Sequence, residues 1–81
     1  MKGIKNMEKL LAILSELHPE VDFENTEGLI DEGILDSLDI VKIVTAIDGE
    51  FDVLIPADEI MPENFNSAKA LMELVERLEE E

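Results

Sequence analysis

The chain has 81 residues, of which 6 are basic and 21 acidic, and its formal charge is −15. This length predicts one domain, residues 1–81, with a small core and much surface left in water. The charge excludes nucleic acid and anionic membranes as favourable partners, because both would be repelled, and makes a basic protein surface the natural complement.

Cysteine is absent, which excludes disulfides and thiolate zinc sites. Thioester chemistry would therefore need a sulfur carried on a prosthetic group. The sequence shows no apolar run long enough to cross a bilayer and no charged-then-apolar leader. We expect a cytoplasmic monomer.

The first predicted helix carries apolar residues at spacings of three and four, which is typical of an amphipathic helix. These residues are Met7, Leu10, Leu11, Leu14 and Leu17. We expect His18 and Pro19 to end the helix, because the residue before a proline avoids helical backbone angles; His18 is interpreted as a surface or helix-end residue. The long connection that follows, about residues 20–35, must cover the core with its scattered apolar side chains and favours a functional site nearby.

The second helix is predicted to start at Asp36 or Ser37 and to run to about Glu50. Its apolar residues are Ile43, Ile47 and Phe51 on one line, with Ile40 and Val44 flanking it. After it, Pro56 is predicted to open a short acidic helix over residues 57–61, which Pro62 closes.

Asn66 or Ser67 can cap a last amphipathic helix. Its apolar residues are Ala68, Leu71, Leu74, Val75 and Leu78, followed by the acidic tail 79–81. No strand is predicted. The expected fold class is all-α: a small bundle of three main helices plus one short helix, with a long loop between helices 1 and 2.

Ser37 is the clearest candidate for a chemically functional residue. At a helix start the backbone amide donors are unpaired and the helix dipole is positive, which favours a phosphate. The alternative is that Asp36 or Ser37 simply caps the helix. A carboxylate about 7 Å from a phosphodiester costs about 0.6 kcal/mol, which nearly cancels the helix contribution, so Asp36 and Asp39 do not serve phosphate affinity. Weak divalent binding at Asp31, Asp36 and Asp39 is expected, without a specific metal site.

Residues 31–41 resemble the Asp-Ser-Leu signature of the acyl carrier protein family. The segment from Phe51 to Pro56, an acidic third-helix segment and a final amphipathic helix follow in the family's order. The resemblance implies that Ser37 carries a 4'-phosphopantetheine arm derived from coenzyme A and that the protein is not an enzyme. It also implies that Asp36 helps to position the metal ion of the phosphopantetheinyl transferase that installs the arm.

The predicted partners are this transferase and acyl-activating and acyl-transferring enzymes with basic docking surfaces. Charge complementarity with a small apolar patch gives fast and reversible association. The predicted partner-binding residues are Leu38, Asp39, Val41, Asp48 and Glu50.

The resemblance implies an acyl carrier of fatty-acid, polyketide or related biosynthesis. Ile40, Lys42, Thr45 and Gly49 depart from the common fatty-acid pattern. Residues 60–65 also look like those of stand-alone modified-acyl, polyketide or aminoacyl carriers. An aminoacyl or peptidyl carrier is therefore one alternative, and an unmodified acidic helical adaptor is another.

Two further classes fail on sequence grounds. A serine hydrolase would need a glycine-flanked nucleophile, which Ser37 lacks, and His18 is the single histidine. A calcium-binding EF-hand needs acidic or amide ligands at fixed positions before its glycine, and the registers on Gly28, Gly33 and Gly49 all fail.

Overall fold

The computed structural model describes residues 2–80, and the side chains from residue 6 onward. Its helices are α1 (Lys2–Leu17), α2 (Ser37–Phe51), α3 (Pro62–Phe65) and α4 (Ala68–Glu79), with a 3-10 turn at Ala57–Glu59. No strand occurs among the described residues, and the prediction of an all-α fold with a long loop before α2 is confirmed. The two ends of the predicted domain, Met1 and Glu81, lie outside the described residues.

One apolar cluster joins all the helices, because α1 packs against α2 and α4 while α3 packs against α4. The predicted stripes supply most of it. The buried helical side chains are Leu10, Ile13, Leu14, Ile43, Ile47, Phe51, Phe65, Ala68, Leu71, Met72, Leu74 and Val75. Ile13 and Met72 were not in the predicted stripes, while Met7, Leu11, Leu17 and Leu78 are only partly buried.

The long connection covers the core as predicted, since Phe23, Leu29 and Leu35 are buried. It is fastened to the junction of α3 and α4 by Asn66, whose carbonyl accepts from Leu29 N at 2.8 Å. The Asn66 side-chain oxygen accepts from Ile30 N at 2.9 Å. The connection is therefore ordered by hydrogen bonds that reach across the chain.

The short helix after Pro56 begins at residue 57 as predicted, but its predicted end and the predicted role of Pro62 were wrong. The predicted helix 57–61 is only the 3-10 turn Ala57–Glu59, and Pro62 opens α3 instead of closing a helix. Proline suits the first helical position, because its missing N–H would have no partner there and its φ is already helical. At the start of α4, Ser67 is the cap and not Asn66: Ser67 Oγ accepts from Ala70 N at 3.0 Å.

The helix α2 ends at a residue with left-handed backbone, Asp52, at φ 56° and ψ 42°. Its N–H donates to Asp48 O at 3.0 Å, which is a common way for a helix to stop. The chain then runs extended, with Val53 and Ile55 buried and Leu54 77% exposed. In the part of the chain that the structure describes, no helix combines the length and apolar character needed to cross a bilayer.

Candidate attachment site at the start of α2

The structure places Ser37 as the first residue of α2, exposed, directly after the N-cap residue Asp36. Asp36 Oδ1 accepts from Asp39 N at 2.9 Å, and Asp36 N donates to Asp39 Oδ2 at 3.2 Å. These reciprocal bonds form a capping box. Since Asp36 performs the capping that the sequence left open between the two residues, the Ser37 hydroxyl is not needed to cap the helix.

A histidine that the sequence left without a role also contacts this turn. His18 Nε2 lies 2.9 Å from Asp39 Oδ2, and its Nδ1 lies 3.2 Å from Glu20 Oε2. The hydrogen bond to Asp39 is the main cause that raises the pKa of His18. The same bond is the main cause that lowers the pKa of the Asp39 carboxyl. The end of α1 is therefore linked to the first turn of α2.

The predicted partner surface is only partly brought together. Leu38 is 70% exposed and Val41 60% exposed. Val41 and Asp48 lie three and ten positions after Leu38, so the three residues share one face of α2. Glu50 instead lines a groove between α1 and α2. The Asp39 side chain is 14% exposed and is bonded to His18, and its role in partner binding stays a prediction.

An open apolar groove begins at Ser37. It has a volume of about 330 Å³ and is lined by Ser37, Ile40, Val41, Val44, Thr45 and Ile60. The Thr45 hydroxyl donates to Val41 O at 2.9 Å, so this polar group is already satisfied at the groove. An exposed serine at a helix start, beside an apolar groove, fits an attached phosphate with a partly apolar arm.

Of the three carboxylates predicted to bind divalent cations weakly, that of Asp31 is engaged apart from those of Asp36 and Asp39. The Asp31 carboxylate accepts from Asn66 Nδ2 at 3.2 Å, whereas Asp39 contacts His18 and Asp36. Among the described residues no group of three or more acidic or histidine side chains could hold a metal ion. Weak divalent binding at Asp31, Asp36 and Asp39 stays a prediction.

Comparison with known proteins gives the same family as the sequence motif. A family model described as a phosphopantetheine attachment site matches residues 8–75. The chain is 38% identical over 64 residues to an aminoacyl carrier protein 2 of Bradyrhizobium diazoefficiens, an alignment covering 79% of this chain and 64% of that protein. The chain thus spans slightly less than two thirds of that relative.

Two other relatives are covered more fully. An aminoacyl carrier protein 1 of the same organism is 33% identical over 75 residues, 93% of this chain and 76% of that protein. A D-alanyl carrier protein of Streptococcus mutans is 31% identical over 71 residues, 86% of this chain and 90% of that protein. The chain belongs to the phosphopantetheine-binding carrier protein family, whose members are carriers served by a phosphopantetheinyl transferase and are not enzymes, and its cofactor is covalent 4'-phosphopantetheine.

Proposed function

We propose that the chain is an aminoacyl carrier protein, in which residues 1–81 form one monomeric carrier domain and Ser37 bears the arm. The observation that carries the proposal is the similarity, at 31–38% identity, to relatives named aminoacyl and D-alanyl carrier proteins. When bound, the arm supplies the thiol on which an amino acid is held as a thioester, a group that this cysteine-free chain does not itself contain.

The geometry around Ser37 supports its role as the acceptor. Its side chain is exposed, and capping of α2 is performed by Asp36. The helix start offers an attached phosphate about 0.3–1 kcal/mol, which a nearby carboxylate nearly cancels, so affinity for phosphate is not what supports the role. Because Asp36 and not Ser37 is the cap, a phosphodiester on Ser37 would leave the cap bonds in place.

The test of the attachment site is loading with coenzyme A and a broad-specificity phosphopantetheinyl transferase, followed by intact-mass measurement. We expect one arm on the wild-type protein and none on Ser37→Ala. Ser15, which is exposed on α1, provides the matched control: Ser15→Ala should gain one arm. Continued loading of Ser37→Ala would contradict the proposal.

A second candidate function is an acyl carrier of fatty-acid or polyketide biosynthesis, and the apolar groove beside Ser37 favours it, because an acyl chain could lie there. The loaded protein should be offered, with ATP, to activating enzymes for amino acids and for fatty acids in parallel. We expect aminoacyl thioesters, detected by mass and released by hydroxylamine. Charging with fatty acids alone would favour the second candidate.

We also propose that basic partner enzymes dock on the face of Leu38, Val41 and Asp48. Asp48→Lys should slow association at low salt, with a defect that shrinks at high salt. Val41→Ala removes apolar contact area, so its effect should lie in dissociation and persist in salt. Glu50→Lys makes the same charge change on the side facing α1 and serves as the matched control. Equal defects in Asp48→Lys and Glu50→Lys would mean that net charge, and not this face, determines docking.

A further inference from the structure

The contact between His18 and Asp39 joins two elements that are 21 positions apart in sequence. Asp39 Oδ2 accepts from His18 Nε2 at 2.9 Å and from Asp36 N at 3.2 Å. One carboxylate oxygen is therefore shared by the capping box and by the end of α1. Ser37 lies within the turn that the Asp36–Asp39 pair closes.

The charges that face His18 favour its protonated form. Its two ring nitrogens contact the carboxylates of Asp39 on α2 and Glu20 on the connection, and the Asp36 carboxylate lies one hydrogen bond further along. Opposite charges at such distances favour an imidazolium, in agreement with the raised pKa of His18. A charge-assisted bond of this kind is stronger than a neutral one.

We propose that His18 is a positioning residue for the loading of Ser37: by binding the Asp39 carboxylate it holds the first turn of α2, and with it the Ser37 hydroxyl, in the orientation that the transferase needs. This inference rests on the proposed role of Ser37. Without His18, Asp39 loses its anchor beside the end of α1, and its bond to Asp36 N can break as the side chain rotates. A reacting group that is less well oriented reacts more slowly even when binding is unchanged.

The test compares steady-state loading of His18→Ala, His18→Gln and wild type at a temperature at which circular dichroism shows each to be folded. We expect kcat for His18→Ala to fall about three- to tenfold, the effect of one lost hydrogen bond on a rate. KM should change little, since the face of Leu38 and Val41 is intact. His18→Gln retains an N–H donor and should stay within about twofold of wild type.

A matched control separates positioning from general loss of stability. Ser67→Ala removes the cap of α4, a bond remote in sequence from the attachment turn, and should lower the midpoint of thermal unfolding without lowering kcat. If His18→Ala behaves as Ser67→Ala does, His18 is merely structural and the proposal is overturned.

A double-mutant cycle tests the route through Asp39. In an Asp39→Ala background, His18→Ala should have no further effect on kcat; a full additional loss would show that His18 acts on the transferase directly. Removal of a positive charge should speed association with a basic transferase if electrostatics alone matters. Faster loading of His18→Ala at low salt would therefore also overturn the proposal. Loading of Ser37→Ala, in contrast, would refute the attachment site itself and not the role of His18.

Discussion

The groove at Ser37 is lined on one side by α2 and on the other by Ile60, which lies between the 3-10 turn and α3. The start of α2 and the segment around Ile60 are held by different forces. Carboxylates hold the first turn of α2, through the Asp36–Asp39 box and the bond to His18. In the segment opposite, neither Pro56 nor Met61 makes a side-chain cap bond. That segment is anchored by Phe65, which is fully buried.

The difference teaches that the two sides of the groove should respond to different perturbations. The side of Ser37 depends on ionised groups, so it should respond to pH and to removal of a cap. The side of Ile60 depends on apolar burial and on an ion pair between Glu59 and Arg77 at 2.8 Å. It should respond mainly to truncation of its anchor.

The largest expected effect comes from truncating that anchor. Phe65→Ala should destabilise the fold by about 3–5 kcal/mol, because a cavity is added to the lost burial. Native domains have a total stability of only about 5–15 kcal/mol, so the variant should lose a large part of its stability. Urea denaturation measures the loss, with Phe65→Leu as a milder control. A loss under about 1 kcal/mol would show that this side does not depend on Phe65.

Removal of the cap should have a smaller effect. Asp36→Ala should reduce the free energy of unfolding by about 1 kcal/mol, since the acceptor for Asp39 N is lost, whereas Asp36→Asn should retain most of it. Asp58 is an exposed acid in the 3-10 turn, and Asp58→Ala should change stability by less than about 0.5 kcal/mol. Equal losses would erase the contrast between the two sides.

The contribution of the His18–Asp39 contact to stability should depend on pH, which distinguishes the side of Ser37 from the side of Ile60. A raised histidine pKa gives stability that is present below the ordinary value of 6.5 and is lost as pH rises through the native pKa. A lowered aspartate pKa gives stability that is present above 3.8 and is lost as pH falls through the native pKa. The stability difference between wild type and His18→Gln should be largest between these values and shrink on either side. Denaturation of wild type and His18→Gln at pH 5 and pH 9 measures this difference. An equal stability difference at the two pH values would contradict the prediction.

The ion pair between Glu59 and Arg77, on the side of Ile60, should contribute least to stability. Glu59→Gln keeps an acceptor for Asn64, whose Nδ2 lies 3.2 Å from Glu59 Oε1, and removes only the charge that pairs with Arg77. Pairs near the surface contribute little and are screened by salt. Thermal midpoints of the variant and wild type should differ slightly at low salt and coincide at high salt. A large salt-independent loss would mean that this side, too, is held by charge.

Most of the fold was predictable because apolar periodicity reports burial directly. The end of α1 and the starts of α2 and α4 follow from such stripes, from Pro19 and from capping residues. Pro62 was misjudged because a proline can follow the end of one helix or begin another, and the local sequence does not decide between the two. Asn66 and Ser67 were both expected as possible caps of α4; Ser67 is the cap, and the Asn66 side chain bonds to Ile30 N, 36 positions away, a contact that no local pattern encodes.

The candidate site was predictable only where its residues are close together in sequence. Ser37 and its capping neighbours are local in sequence, and the attachment role assigned to Ser37 stays a proposal. The separation of Asp48 from Glu50 follows from helix geometry, since residues two positions apart lie on nearly opposite sides. The engagement of Asp39 by His18 could not be predicted, because it joins the ends of two helices.

The left-handed backbone of Asp52 has a consequence for surface redesign. This one residue sets the parity of the extended segment that follows, so that Val53 and Ile55 point inward and Leu54 outward. The exposure of Leu54 thus has an internal geometric origin and is not by itself a sign of a binding surface. A polar residue such as threonine in place of Leu54 would improve solubility and leave Val53 and Ile55 buried. A β-branched residue in place of Asp52 would strain the left-handed backbone, and with it the turn that determines which of these three side chains is exposed.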